Sequence, residues 1–410
     1  MNAQEFREIF DQKRAGAGFD GYKDVMDIIK RVRTEGDAAL RDYTEKFDGR
    51  KPESFKVPAS ALKASYDAIS DEEKTALETI RNRIERYQES IKYEDRDDGE
   101  FQYVYHPIEK IGVYVPGGTA LYPSSVLMTV VAALAAGVRE IHVTTPSFDE
   151  NNITFAALYI CGAEDVYTVG GAQAIAALAY GTETIPKVDK IVGPGNYYVA
   201  LAKRLLFGEV GIDMIAGPSE ILIYVDQDVH VDAIVYDLFA QAEHDRNART
   251  FLLSEDEAVI SEIEDRLEAL IDAQPRSEII RASIRDNHYS VVDSREALLD
   301  MVNHIAPEHV SIQHRDADMI IRNIRYAGAV FNGYYSPEAI GDYAAGPSHV
   351  LPTDRTGRFS HGLNVNDFMT SHAVISLGQD TYTEITGPAK TVAKREQLDA
   401  HYQSLRIRTE

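Results

Sequence analysis

Residues 111–145 read IGVYVPGGTALYPSSVLMTVVAALAAGVREIHVTT, and this stretch decides the fold class. Gly112 to Val115 reads as a strand that stops at Pro116-Gly117-Gly118, since glycine and proline punctuate regular structure. An apolar helix follows at about Ser125 to Ala136, and a second strand at Glu140 to Thr145. The alternation continues with a helix at Ile153 to Cys161, a strand at Asp165 to Val169, a helix at Gln173 to Tyr180 and a strand at Lys187 to Val192. Strand and helix in strict succession imply a parallel sheet with crossover helices.

Downstream of Gly217-Pro218-Ser219 the pattern resumes. The strand Ile221 to Val225 leads into a helix through Asp237 to His244, then a strand at Thr250 to Leu253, and similar βα texture runs to Tyr334. Two open α/β domains are therefore expected. Upstream, residues 1 to about 105 read as charge-rich helices, for example Asp71 to Ser90. From about Phe368 a last segment ends in a polar helix, Lys394 to Leu405, which is a poor candidate to fold alone.

Composition narrows the function classes. A formal charge of -24 opposes nucleic-acid binding, which needs concentrated lysine and arginine. A single cysteine, Cys161, rules out an internal disulfide and a cysteine-rich zinc site, so any metal must be held by His, carboxylate and amide groups. No apolar run approaches the roughly 20 residues that span a bilayer, and the start MNAQEFREIFDQKRAG lacks a signal-peptide pattern. A cytoplasmic protein without membrane partners is expected.

Four places could carry chemistry. In Gln241-Ala242-Glu243-His244, positions three apart share a helical face, so Gln241 and His244 could aim at one ion. Alone, the tetrapeptide is better explained as a polar helix end with a capping histidine. In Ala306-Pro307-Glu308-His309 a loop edge offers two groups able to exchange protons near neutrality, though a proline turn with a solvated Glu accounts for it equally. The small-residue stretch Gly341-Asp342-Tyr343-Ala344-Ala345-Gly346-Pro347-Ser348-His349 gives Asp342 or His349 few steric constraints, or is an ordinary surface loop. His401, taken alone, is an exposed histidine on a polar helix. For a nucleotide, Pro116-Gly117-Gly118, Gly170-Gly171-Ala172-Gln173 and Gly193-Pro194-Gly195-Asn196 each follow a strand, where backbone N–H groups can receive phosphate. None completes G-x-G-x-x-G, because Tyr198 takes the third glycine's place.

In this order, YVPGGTALYPSSVLM, GGAQAIAALAYGT, GPGN, AGPSE, QAEHD, APEH, SPEAIGDYAAGPSHVLPT and EQLDAH resemble histidinol dehydrogenase over roughly residues 20 to 407. The resemblance implies two Rossmann-like domains with small helical terminal extensions: residues 1–20; 21–113 with 220–363; 114–219, binding NAD; and a tail, 364–410. It implies one zinc per subunit on Gln241, His244, Asp342 and His401, and a homodimer whose tail, with His401 and Glu396, completes the partner's active site. It implies His309 as the base for the alcohol and Glu308 as the activator of water. Ser219, Gln241, His244, His309, Asp342, Glu396 and His401 would surround an amino alcohol, and Tyr114, Gln173 and Asn196 would line the NAD site. The expected reaction takes L-histidinol through histidinal to L-histidine with two NAD, the last step of histidine biosynthesis. His361 departs from the family's pattern, and a related zinc and NAD dehydrogenase of another small alcohol, such as a sulfonated diol, is the alternative. A zinc hydrolase with Glu308 activating water is a further one, opposed by Tyr114, Gln173 and Asn196.

Overall fold

The computed structural model describes residues 1–15, 21–117, 121–146 and 152–409. Gly118 of the first glycine turn, and residues 16–20 of the N-terminal extension, lie outside them. The described chain divides into two compact units, one of residues 1–91 and 108–368, the other of residues 92–107 and 369–410.

The larger unit holds two five-stranded parallel sheets. One orders its strands Asp165–Tyr167, Glu140–Thr144, Lys110–Tyr114, Lys190–Val192, Gly211–Ile212. The other orders them His288–Val292, Arg249–Ser254, Glu220–Val225, His309–Gln313, Ala329–Asn332. Counted by chain position within each sheet, both read 3-2-1-4-5, the doubly wound order in which the winding reverses between the first and fourth strands. The fold class expected from the βα alternation is the one observed.

Burial explains why these strands read as apolar runs. All six residues of Glu220–Val225 are buried, as parallel strands covered on both faces must be. Ile221, Ile223 and Val225 pack on Val235, Leu238 and Phe239 of the helix Val231–Ala242. Leu222 and Tyr224 face the opposite layer, where Phe6 and Phe10 of the first helix, Ala3–Ala15, join Phe251 and Tyr289. Period-two alternation thus feeds two cores from one strand.

In the smaller unit Phe101–Pro107 pairs antiparallel with Met369–Ile375, and with Arg96–Asp97 on its other side. The expectation of helices up to about residue 105 is corrected here. Phe101 to Tyr105 finds its partner more than 260 residues away, beyond the reach of local periodicity. The single helix expected at Lys394 to Leu405 is also corrected, because the chain forms two, Gln379–Arg395 and Asp399–Arg406. Gln397 between them takes φ +61, a left-handed conformation that ends the first helix and redirects the chain. The two helices pack on each other, and the Tyr382 hydroxyl donates to the Leu405 carbonyl at 2.9 Å. Among the described residues no helix is long and apolar enough to cross a membrane.

Candidate active site

A cavity of about 490 Å³ opens between the carboxyl edge of the first sheet and the amino edge of the second. Tyr114, Pro116 and Gly117 line it from the end of the first strand, and Gly193 to Asn196 from the end of the fourth. These two strands flank the winding reversal, the position where open α/β sheets hold ligands. Ser219, Glu308 and His309 reach it from the second sheet, Gln241 and Asp342 from the helices Val231–Ala242 and Glu338–Tyr343, and His244 and His349 from loops.

Glu308 and His309 stand at the start of the strand His309–Gln313, beside Glu220 at the start of its neighbour. The turn that delivers them runs through Ala306, a buried non-glycine residue at φ +48 ahead of a proline, a strained conformation held by its surroundings. The Glu220 backbone N–H donates to Glu308 Oε2 at 2.8 Å, and the Glu220 carbonyl lies 3.0 Å from His309 Nδ1. A carbonyl only accepts, so Nδ1 carries the proton and Nε2 presents a lone pair. Burial pushes the His309 imidazolium down to about 3, against the opposing pull of the Glu220 carbonyl, so the ring is neutral near pH 7. Burial lifts the Glu308 carboxyl well above the usual range, with the charges of Glu220, Glu338 and Asp342 adding to it and the Glu220 N–H opposing.

Glu220 is itself anchored. Arg249 donates to its carboxylate at 2.8 Å and to Asp354 at 3.0 Å, while the Asp354 N–H donates back to Glu220 at 3.2 Å. One residue thus fixes both candidate proton-transfer groups through its backbone.

A metal-competent cluster sits beside them. Side-chain ligand atoms of His244, Glu338 and Asp342 lie within 4.8 Å of one another, and His244 Nε2 is 3.9 Å from Asp342 Oδ2. Both amide atoms of Gln241 are buried without a hydrogen-bond partner among the described residues. Such an orphan is costly unless something else satisfies it. The nitrogen and oxygen donors of Gln241, His244 and Asp342 therefore fit a divalent ion of borderline softness, zinc included. The helix Val231–Ala242 stops before His244, which follows in a turn, so the expectation that Gln241 and His244 share one helical face is corrected; both line the cavity. Asp342 lies on a short helix, Glu338–Tyr343, and not in a small-residue loop, which corrects that expectation. His349 Nδ1 lies 3.0 Å from the Asp342 carbonyl and its Nε2 3.4 Å from Ser125 Oγ, joining the metal cluster to the first sheet's helix.

Among the residues expected to line a nucleotide site, the Tyr114 hydroxyl accepts from the Gly171 N–H at 3.1 Å. The side chain of Asn196 accepts from Tyr198 and Val199 N–H and caps the helix Tyr197–Leu206. Gln173 is buried in the first turn of the helix Gly171–Tyr180 and is not among the residues lining the cavity. Gly193 is held on both sides: its N–H donates to Asp213 at 2.7 Å and its carbonyl accepts from Lys203 at 3.0 Å, with Lys203 and Asp213 paired and buried. A Cβ at Gly193 would lie 2.1 Å from the Tyr114 carbonyl, and φ is +112. Gly193→Ala is therefore expected to raise the KM for NAD more than about tenfold, with metal content unchanged, as steady-state titration and elemental analysis would read.

His401 and Glu396 belong to the smaller unit, where both are exposed: Glu396 at the end of the helix Gln379–Arg395, and His401 on the helix Asp399–Arg406. His361 is exposed, within 3.2 Å of the Asn364 amide, and is not among the cavity's lining residues. Sequence reasoning missed Glu338 and Glu220. Glu338 lies four residues before Asp342, a spacing that signals a shared face once the segment is read as helix; Glu220 acts through its backbone and leaves no such signal.

A family model described as histidinol dehydrogenase matches residues 13–409. A histidinol dehydrogenase from Staphylococcus saprophyticus is 51% identical over 394 residues, covering 95% of this chain and 93% of the relative. One from Staphylococcus epidermidis is 49% identical over 415 residues, covering both chains fully. The crystal structure of histidinol dehydrogenase from Elizabethkingia anophelis superposes with a TM-score of 0.92 at 32% identity, over 96% of this chain and 93% of that one. An acetylating aldehyde dehydrogenase from Geobacillus thermoglucosidasius, at 14% identity and TM-score 0.50 over 92% of this chain and 97% of that one, shares the fold alone.

Proposed function

The chain belongs to the histidinol dehydrogenase family of NAD-dependent oxidoreductases, and from that premise we propose that it oxidises L-histidinol through histidinal to L-histidine, with two NAD and one zinc per subunit, as the last step of histidine biosynthesis. The observation that carries this reading is the arrangement in one cavity of a neutral His309 with Nε2 free, a buried Glu308, and the Gln241, His244 and Asp342 donors. The sheet built on Lys110–Tyr114 and the following residues to 219 are assigned to NAD, and residues 92–107 with 369–410 to a tail unit that serves the partner of a homodimer. His401 and Glu396 are the tail's contributions, and Ser219 joins them around the substrate.

Zinc, when bound by Gln241, His244, Asp342 and the partner-derived histidine, would hold the imidazole and amine of the substrate and so fix the carbinol carbon. NAD, when bound beside Tyr114 and Asn196, the two of the three expected residues that line the cavity, would accept the hydride of each oxidation. The protein's own part is proton movement. His309 Nε2 takes the hydroxyl proton as the carbinol C–H bond gives up its electron pair, leaving an aldehyde. Glu308, held at one oxygen by the Glu220 N–H, takes a proton from the water that adds to that aldehyde while the carbonyl oxygen takes the proton held on His309 Nε2, giving the hydrate and restoring the neutral imidazole. His309 then serves again as the hydrate is oxidised to the carboxylate. Keeping the aldehyde enclosed between the steps protects it from side reactions.

Incubating metal-loaded protein with limiting L-histidinol and excess NAD is expected to form two equivalents of NADH per histidinol, with histidine as product. No turnover, or one equivalent with an aldehyde product, would sink the reading. Glu308→Gln is expected to retain the first oxidation and slow the second by about 10² or more, so that NADH per histidinol falls towards one and an aldehyde reagent captures the difference.

A further inference from the structure

The second sheet has a winding reversal of its own, and the active-site cavity uses only the amino edge of that sheet. At the carboxyl edge the strands Glu220–Val225 and His309–Gln313 end side by side, with Val225 opposite Gln313, and a separate cavity of about 720 Å³ opens there. This is the position where open α/β sheets hold ligands. Its lining does not suit a phosphate. The turn after Val225 reads Asp226-Gln227-Asp228-Val229-His230, with no glycine to let a phosphate approach the backbone. His230 Nδ1 already accepts from the Ala233 N–H at the start of the helix Val231–Ala242. Arg315 is the one arginine or lysine lining the cavity among the described residues, and it is committed to Asp226 and Asp228, at 3.0 Å each.

What remains suits the opposite charge. Asp237 lines the cavity with no cation beside it; burial alone acts on its carboxyl, lifting it to about 6, so the group is mostly anionic at neutral pH. Tyr236 and Tyr334 also line the cavity, and they are 51% and 56% exposed, with the His230 ring 5.9 Å from that of Tyr334. Half-exposed tyrosines on a concave wall can serve a cation twice, because the ring quadrupole attracts the charge and the ring face covers an apolar body. Ile234, Pro337 and Ile340 add apolar surface.

We propose that this cavity is a second binding site, for a small organic cation: a protonated amine on a planar, apolar body. The site is separate from the reaction proposed above and does not rest on it. Tyr236, Tyr334 and the acidic lining recognise the ammonium, and the rings with the apolar surface take the body. The chain's formal charge of -24 adds a field that draws cations in.

Full-length, zinc-loaded protein titrated calorimetrically with phenethylammonium at neutral pH is expected to bind it with a Kd of about 1 mM or tighter. Phenylethyl alcohol, with the same body and no charge, is expected to bind about tenfold more weakly, and phenylacetate, with the charge reversed, to show no binding. An amine can also enter the active-site cavity, so two variants locate the site. Tyr334→Ala and Tyr236→Ala are each expected to weaken phenethylammonium binding about five- to tenfold, with bound zinc and the rate of NADH formation from histidinol at wild-type levels. No binding, equal affinity for the ammonium and the alcohol, an affinity unchanged in both tyrosine variants, or a loss of binding that tracks loss of zinc would each overturn the inference. Wild-type protein that forms no NADH from histidinol would sink the proposed function and leave this site standing, with bound zinc as the remaining control.

Discussion

His309→Gln is expected to lower kcat for histidinol by about 10³ to 10⁴, at the upper end of what a positioned base contributes, because both oxidations draw on the same nitrogen. The geometry leaves no substitute. Nε2 is the free lone pair on a ring whose other nitrogen is spent on the Glu220 carbonyl, and His349 has its Nδ1 on the Asp342 carbonyl and its Nε2 facing Ser125. A glutamine amide fills much of the volume but cannot take a proton near neutrality. Zinc content and the KM for NAD are expected to stay near wild type, since the Gln241, His244 and Asp342 donors and the Gly193 turn are untouched. Single-turnover NADH formation beside elemental analysis reads both. A variant that loses zinc in parallel with rate would make His309 part of the metal site and not the base.

The second large effect concerns the tail. His401 is exposed on a polar eight-residue helix, and the reading above assigns it to the partner's metal. His401→Ala is then expected to weaken zinc retention by more than about 100-fold and to abolish turnover at working zinc concentrations. Mixing supplies the sharper result. When His401→Ala and His309→Gln chains are refolded together, half of the dimers pair one of each, and in those dimers one site has both an intact His309 and an intact His401. About a quarter of wild-type activity should return from two inactive parents. Sites built within single chains would return none, because every chain lacks one group. Recovery of a quarter would support the shared site; the zinc count, one tightly bound ion per two chains whichever way the sites are built, checks only that the two chains are mixed equally.

How much of this was legible in the sequence differs from part to part. The parallel sheets were legible because a doubly buried strand must be an apolar run and a crossover helix must follow it, so Gly112 to Val115 and Ile221 to Val225 announce themselves locally. The candidate residues were legible as types: Gln241, His244, Glu308, His309 and Asp342 stand in short motifs whose order resembles one family. By itself the sequence determined the α/β class, the absence of a cysteine metal site, and the identity of the groups able to hold an ion or move a proton. The antiparallel pairing of Phe101–Pro107 with Met369–Ile375 was not legible, since strand partnership is a long-range choice that no local period encodes. The tertiary structure alone decided that Glu220 fixes Glu308 through its N–H and His309 through its carbonyl, because every residue carries those groups and only adjacency of two strands selects which one is used. It alone decided that Glu338 joins His244 and Asp342, that Gln241 is buried and unpartnered, and that His361 stays outside the cavity. Those are matters of burial and direction, and both are set by what packs around a side chain.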